Sequence, residues 1–151
     1  MKLEKISAIA EIVSSVAIVL TLVYLTVQTQ QNTSALQASV RQGMLAEETQ
    51  LILSQLDYPY LNAMNLDNQE LDPNQRLQAR TWITAFLRVR ENHWLQYQAG
   101  VIDETTWQAY RLPIRIVLTT NIGREEWGLR RNRGEFAQGF VDDVDQFLAS
   151  E

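Results

Sequence analysis

Cysteine is absent from the 151 residues. That excludes disulfide scaffolds, thiolate zinc sites and cysteine nucleophiles, and leaves the redox compartment open. There is one histidine, His93, with no HExxH or Glu-x-x-His pattern around it, so a helix-borne zinc or di-iron centre has no basis. Lysine is confined to Lys2 and Lys5, and every later cation is an arginine. A net charge of -5 argues against nucleic acid as a partner, because phosphate binding needs a concentrated basic face. The one arginine cluster, Arg124, Arg130, Arg131 and Arg133, is diluted by Glu125, Glu126 and Glu135 and reads as a solvated mixed-charge face. No segment alternates with β-branched enrichment, so no sheet is expected. Repeats, low-complexity tracts, a Gly-rich phosphate loop and a nucleophile elbow are also missing.

What is present begins with a long apolar run. Ile12 to Val27 reads IVSSVAIVLTLVYLTV, uncharged, and extension back to Ile6 adds a single charge, Glu11. At about 1.5 Å per residue the stretch from Ile6 is roughly 33 Å long, matching a hydrocarbon core of about 30 Å. Its serines and threonines can return their hydroxyls to helix carbonyls, so they do not disqualify it. A cleaved signal would need a small-x-small site, for which Thr33-Ser34-Ala35 is a poor match. A buried soluble helix would need neighbours on all sides, and the remaining helices are amphipathic. The run therefore reads as a single membrane anchor. Lys2 and Lys5 precede it, and no charge follows until Arg41, so the positive-inside rule puts the N-terminus in the cytoplasm and the rest outside.

The helix is expected to continue beyond the membrane. Leu36, Val40, Met44 and Leu51 recur at spacings of four and seven, with Leu45, Ile52 and Leu56 on an adjacent line, until Tyr58-Pro59 stops it. A short helix over Pro59 to Asn65 and a polar turn through Asn68 should follow. Asp72 is a good N-cap, Pro73 fits the first helical position and Gly100 supplies a left-handed stop. Trp82, Phe86, Val89 and Tyr97, with Ile83, Leu87 and Trp94, give that helix a wide apolar face. Asp103 caps the next, whose inner stripe is Trp107, Tyr110, Ile114 and Val117, with a kink expected at Pro113. Asn121-Ile122-Gly123 reads as a break before a short helix over Arg124 to Arg131, a turn at Asn132 to Gly134, and a last helix carrying Phe136, Phe140, Val144, Phe147 and Leu148. All four Trp and all four Phe lie beyond residue 80, which locates the core. The architecture expected is all-α: a single N-terminal transmembrane helix (1–30), an amphipathic helix continuing from it (31–56), and a small helical bundle (57–151).

Several short motifs resemble a widespread family of small bacterial proteins of unknown function. They are Glu11-Ile12-Val13, Tyr24-Leu25, Val27-Gln28 and Gln31-Asn32-Thr33, then Glu91-Asn92, Gln96-Tyr97, Gly100, Asp103-Glu104, Trp107, Trp127, Phe136 and Phe140-Val141. Members open with a membrane segment and continue into a helical domain, and often carry a basic residue among the glutamines after that segment. Gln28 to Gln31 has none. The resemblance implies a bacterial inner-membrane location and an anchored helical domain, and no chemistry.

Two groups of residues are candidates for function. Arg88, Glu91, Asn92 and Gln96 lie at i, i+3, i+4 and i+8, a polar line on an aromatic helix. They read either as a structural network or as a small polar pocket with Glu91 as base or anchor. In the membrane segment, Ala10 and Ser14 stand in small-xxx-small spacing, and Ser14, Thr21 and Gln28 repeat every seven residues beside Glu11. Ala10, Glu11, Ser14 and Thr21 thus suit contact with another membrane helix, a second copy or a partner's. His93 is expected to be a packed core residue. The paired carboxylates Glu47-Glu48, Glu125-Glu126 and Asp142-Asp143 point about 100° apart on a helix and are expected to be solvated. No enzyme, cofactor or metal site is expected. The partners anticipated are the lipid bilayer and another membrane helix, in a membrane-anchored interaction domain; the alternative is a tethered ligand-binding or sensing domain.

Overall fold

A computed structural model describes residues 2–62, 66–67 and 70–150, with side chains from Ala10 onward. The chain is all-α, and no strand occurs among the described residues. Helix α1 runs Lys2–Asp57, a 3-10 turn occupies Pro59–Leu61, and α2 (Pro73–Gln98), α3 (Glu104–Thr119), α4 (Asn121–Asn132) and α5 (Gln138–Ala149) follow. Two compact units result, Met1–Val40 and Arg41–Glu151, so the last turns of α1 belong with the bundle.

The first unit is α1 alone. Ile12, Val13, Val16, Ile18, Val19, Leu20 and the other large side chains through Val27 are 47–65% exposed, an apolar sleeve with nothing packed on it. Four hydroxyls in and just beyond it return to helix carbonyls: Ser15 donates to the Glu11 carbonyl, Thr21 to Ala17, Thr26 to Leu22 and Thr29 to Leu25, each at 2.8 Å. Among the described residues α1 is the one helix long and apolar enough to cross a membrane.

In the second unit the local signals act much as expected. Tyr58-Pro59 ends α1, but the helix anticipated over Pro59 to Asn65 is only the 3-10 turn, and Asn62 is already extended. Asn65 and Asn68 lie outside the described residues. Asp72 accepts from the Asn74 and Gln75 amides at 2.8 and 2.9 Å, and Gln75 reaches back to the Asp72 amide at 3.0 Å, a complete capping box. Gly100 follows α2 at φ 69, a left-handed position that a side chain would strain. Asp103 caps α3 through the Thr106 amide at 2.7 Å, and this bond, followed by the Thr106 hydroxyl, holds its carboxyl below the ordinary range. Helix α3 continues unbroken past Pro113.

The break expected over Asn121 to Gly123 falls one residue earlier. Thr120 is extended and caps α4 by accepting from the Gly123 amide at 3.0 Å, so Asn121, Ile122 and Gly123 form the first turn of α4. Glycine there serves close approach rather than a turn: a Cβ on Gly123 would stand 2.1 Å from the Val117 carbonyl oxygen.

The core gathers around Phe140, which is fully buried. Trp107 and Trp127 meet it edge-on at 6.4 and 5.9 Å between ring centroids, and Phe136 at 5.8 Å. These side chains come from α3, α4, the loop before α5 and α5 itself, so one ring links all three helices.

Candidate functional site

The polar line of α2 fans out to several neighbours. Glu91 is buried; its Oε2 accepts from Arg88 at 2.8 Å and its Oε1 from the Ala137 amide at 2.6 Å. Ala137 is the N-cap of α5 and makes no side-chain cap of its own, so Glu91 supplies a carboxylate at that helix start from across the bundle. Arg88 also lies over the Phe136 ring at 4.8 Å. Asn92 turns elsewhere, donating to Glu47 of α1 at 3.3 Å. The half-buried Gln96 contributes its backbone carbonyl to the turn after α2, accepting from Val101 at 2.9 Å. Arg88 and Glu91 thus act together, Asn92 acts on α1, and Gln96 on the α2–α3 turn.

A second cluster lies one residue away on α2. Arg90 is 2% exposed and pairs with Glu48 of α1 through both terminal nitrogens, the longer contact being 3.2 Å. Its guanidinium lies 4.5 Å from the Phe86 ring and 6.0 Å from Tyr110. Burial lowers its pKa to about 10, leaving it charged at neutral pH. His93, fully buried, packs at 4.3 Å on the Tyr110 ring. Its Nδ1 stands 3.4 Å from an Arg90 nitrogen. A guanidinium only donates, so Nδ1 accepts and the ring proton belongs on Nε2, facing Glu47 at 3.8 Å. Burial first, and the Arg90 charge second, push the His93 pKa down to about 4. His93 is therefore a neutral core residue.

The carboxylate pairs correct the solvated reading. Glu48 is drawn inward by Arg90, and Glu126 is 2% exposed, held by Arg80 at 2.8 Å and Arg130 at 3.0 Å. Asp143 is half-buried against Arg111, whereas Glu125 and Asp142 face solvent. The arginine-rich face keeps its mixed character: Arg131 pairs with Asp145 at 2.7 Å and Arg130 with Glu135 at 2.8 Å. Spacing alone could have flagged Arg90, since it sits between Phe86 at i-4 and His93 at i+3 on the buried face.

Two open grooves flank the last turns of α1. One, of about 310 Å³, is walled by Glu48, Leu51, Trp82, Phe86, Arg90 and Pro113. The other, of about 370 Å³, is lined by Glu47, Leu51, Ser54, Trp82, Ala85 and Val89. Trp82 is common to both and donates its indole N–H to Ser54 at 3.0 Å. Only part of the predicted α1 stripe faces the bundle: Met44 is buried and Leu51 half-buried, whereas Leu45, Ile52 and Leu56 on the adjacent line are 60%, 58% and 72% exposed. Among the described residues no three His, Asp or Glu side chains are placed to hold a metal ion.

The membrane-contact candidates all lie on α1. Ala10, Ser14 and Thr21 share one line, each exposed, and Glu11 is exposed beside them. Comparison with known proteins finds no matching family model, curated protein or solved structure.

Proposed function

We propose that this protein is a membrane-anchored helical interaction domain, held in a bacterial inner membrane by α1 and working as a homo-oligomer or as an accessory subunit of a larger assembly. The observation that carries the reading is the bare apolar sleeve from Ile12 to Val27, whose large side chains are about half exposed or more and whose Ser15, Thr21 and Thr26 hydroxyls return to helix carbonyls. In water such a surface would be strongly unfavourable, whereas lipid accepts its apolar side chains and its internally bonded hydroxyls. Lys2 and Lys5 on the N-terminal side favour a cytoplasmic N-terminus and an extracytoplasmic bundle. The motifs from Glu11-Ile12-Val13 to Phe140-Val141 support kinship with small anchored bacterial proteins.

Fractionation of a detergent-free lysate tests the anchor. The full chain is expected in the high-speed pellet, resistant to alkaline carbonate and released by mild detergent; recovery in the supernatant rejects it. Reporter fusions at either end decide sidedness.

A second reading, a tethered ligand-binding domain, draws on the groove walled by Trp82, Phe86 and Arg90, where a cation adjoins aromatic surface. It requires a small anionic amphiphile such as dodecanoate to quench tryptophan fluorescence saturably in the wild type and not in Trp82→Phe.

A further inference from the structure

Outside the apolar run, α1 leaves Leu36, Leu45, Ile52, Leu53 and Leu56 exposed although the bundle lies against the same helix, and three of these, Leu45, Ile52 and Leu56, share one line. With Thr49 they are spaced four, three and four residues apart, the a/d spacing of a heptad seam. Met44, Leu51 and Ser54, which face the bundle, lie on a different side; Ile52 borders the groove beside Trp82 and Phe86 yet stays exposed, so the seam is open while the bundle stays packed.

The same count runs back through residues 10–42. It passes Gln42, Ala38, Ala35, Gln31, Gln28, Tyr24, Thr21, Ala17, Ser14 and Ala10, and every one of these is exposed. Between Ile12 and Val27 the seam positions are Ser14, Ala17, Thr21 and Tyr24, none of them a large aliphatic residue. Off the seam, every residue in that span except Ser15 and Thr26 is Ile, Val or Leu. Lipid-facing surface and seam are thus separated by side-chain type. No seam position from Ala10 to Leu56 carries a charge.

We infer that this seam is the contact between two copies of the chain, packed parallel and in register along α1. The inference rests on the anchored-interaction reading and identifies its partner. Single-pass copies inserted the same way are necessarily parallel, and in register each seam residue meets its own counterpart. Serine, threonine and glutamine suit that arrangement, because hydroxyls and amides both donate and accept and so complement themselves. Glutamine at a seam position also penalises slipped registers. Small residues allow close backbone approach in lipid, and Leu45, Ile52 and Leu56 supply hydrophobic contact in water. The lengths are sufficient. Ala10 to Ala38 and Leu45 to Leu56 rise about 42 and about 17 Å, which at a width of about 10 Å is roughly 600 Å² per copy and about 1,200 Å² per pair, the lower edge of stable interfaces.

The chain has no native cysteine, so single-cysteine variants report without background. In native membranes under mild oxidation, Gln28→Cys and Thr49→Cys are expected to give at least ten-fold more disulfide-linked homodimer than the off-seam controls Val19→Cys and Gln50→Cys. Leu45→Glu combined with Thr49→Glu, both exposed and clear of the core, is expected to halve the particle mass of the protein in mild detergent. Equal cross-linking at seam and control positions in a chain that pellets with membranes overturns the dimer and leaves the anchor standing. Cross-links exclusively to a different protein also overturn the dimer. A chain found in the supernatant overturns both.

Discussion

At the scale of single residues, the bundle depends on where two carboxylates point. Glu48 and Glu47 are neighbours, yet Glu48 neutralises the buried Arg90 while Glu47 is nearly half exposed. Glu48→Ala should cost roughly 3 kcal/mol because it strands a buried cation, whereas Glu47→Ala should cost under about 1 kcal/mol. Denaturant unfolding of the full chain in mild detergent measures both. Glu91→Ala should lose about 2 kcal/mol with loosening of α5, since it removes charged acceptors from Arg88 and Ala137. His93 gives the pH response. Its pKa falls from 6.5 to about 4 on folding, so between those values the unfolded chain binds a proton that the folded chain refuses. Its contribution is complete above pH 6.5 and is lost as pH falls toward 4, by at most about 3 kcal/mol. Arg90, Glu47, Glu48 and Tyr110 face the ring, and burial followed by the Arg90 charge sets this value. His93→Gln should flatten the stability profile between pH 6.5 and 5.

At the scale of elements, helix ends were the most legible feature. Asp72, Pro73, Gly100 and Asp103 act through bonds to their immediate neighbours, and such bonds form wherever the chain is placed in space. Asp72→Ala should therefore cost about 1 kcal/mol, seen as a lower unfolding midpoint at unchanged slope. Asn121-Ile122-Gly123 departs from the sequence reading because the break is made one residue earlier, where α3 turns into α4. A glycine two residues after an asparagine resembles a turn, but Gly123 is helical and lets the Val117 carbonyl at the end of α3 pass close by. Gly123→Ala should destabilise the chain by more than about 2 kcal/mol, where an exposed helical glycine would gain from the same change.

At the scale of the whole molecule, a 56-residue helix carries an apolar sleeve in its first half and serves as a wall of the bundle in its last turns. Deletion of residues 1–40 removes the first compact unit and keeps Met44, Glu47, Glu48 and Leu51. The shortened chain should leave the membrane pellet and remain folded, checked by fractionation and thermal unfolding. Deletion through Asp57 should unfold it by uncovering Trp82 and orphaning Arg90.

All-α architecture, the sleeve and the caps follow from sequence alone because composition and nearest-neighbour bonds suffice to specify them. Which face of the last α1 turns is covered, which of two adjacent glutamates is buried, and how Glu91 and Asn92 divide between α5 and α1 depend on residues tens of positions away. Burial is a relation between distant segments, and only the tertiary structure brings those segments within reach of one another.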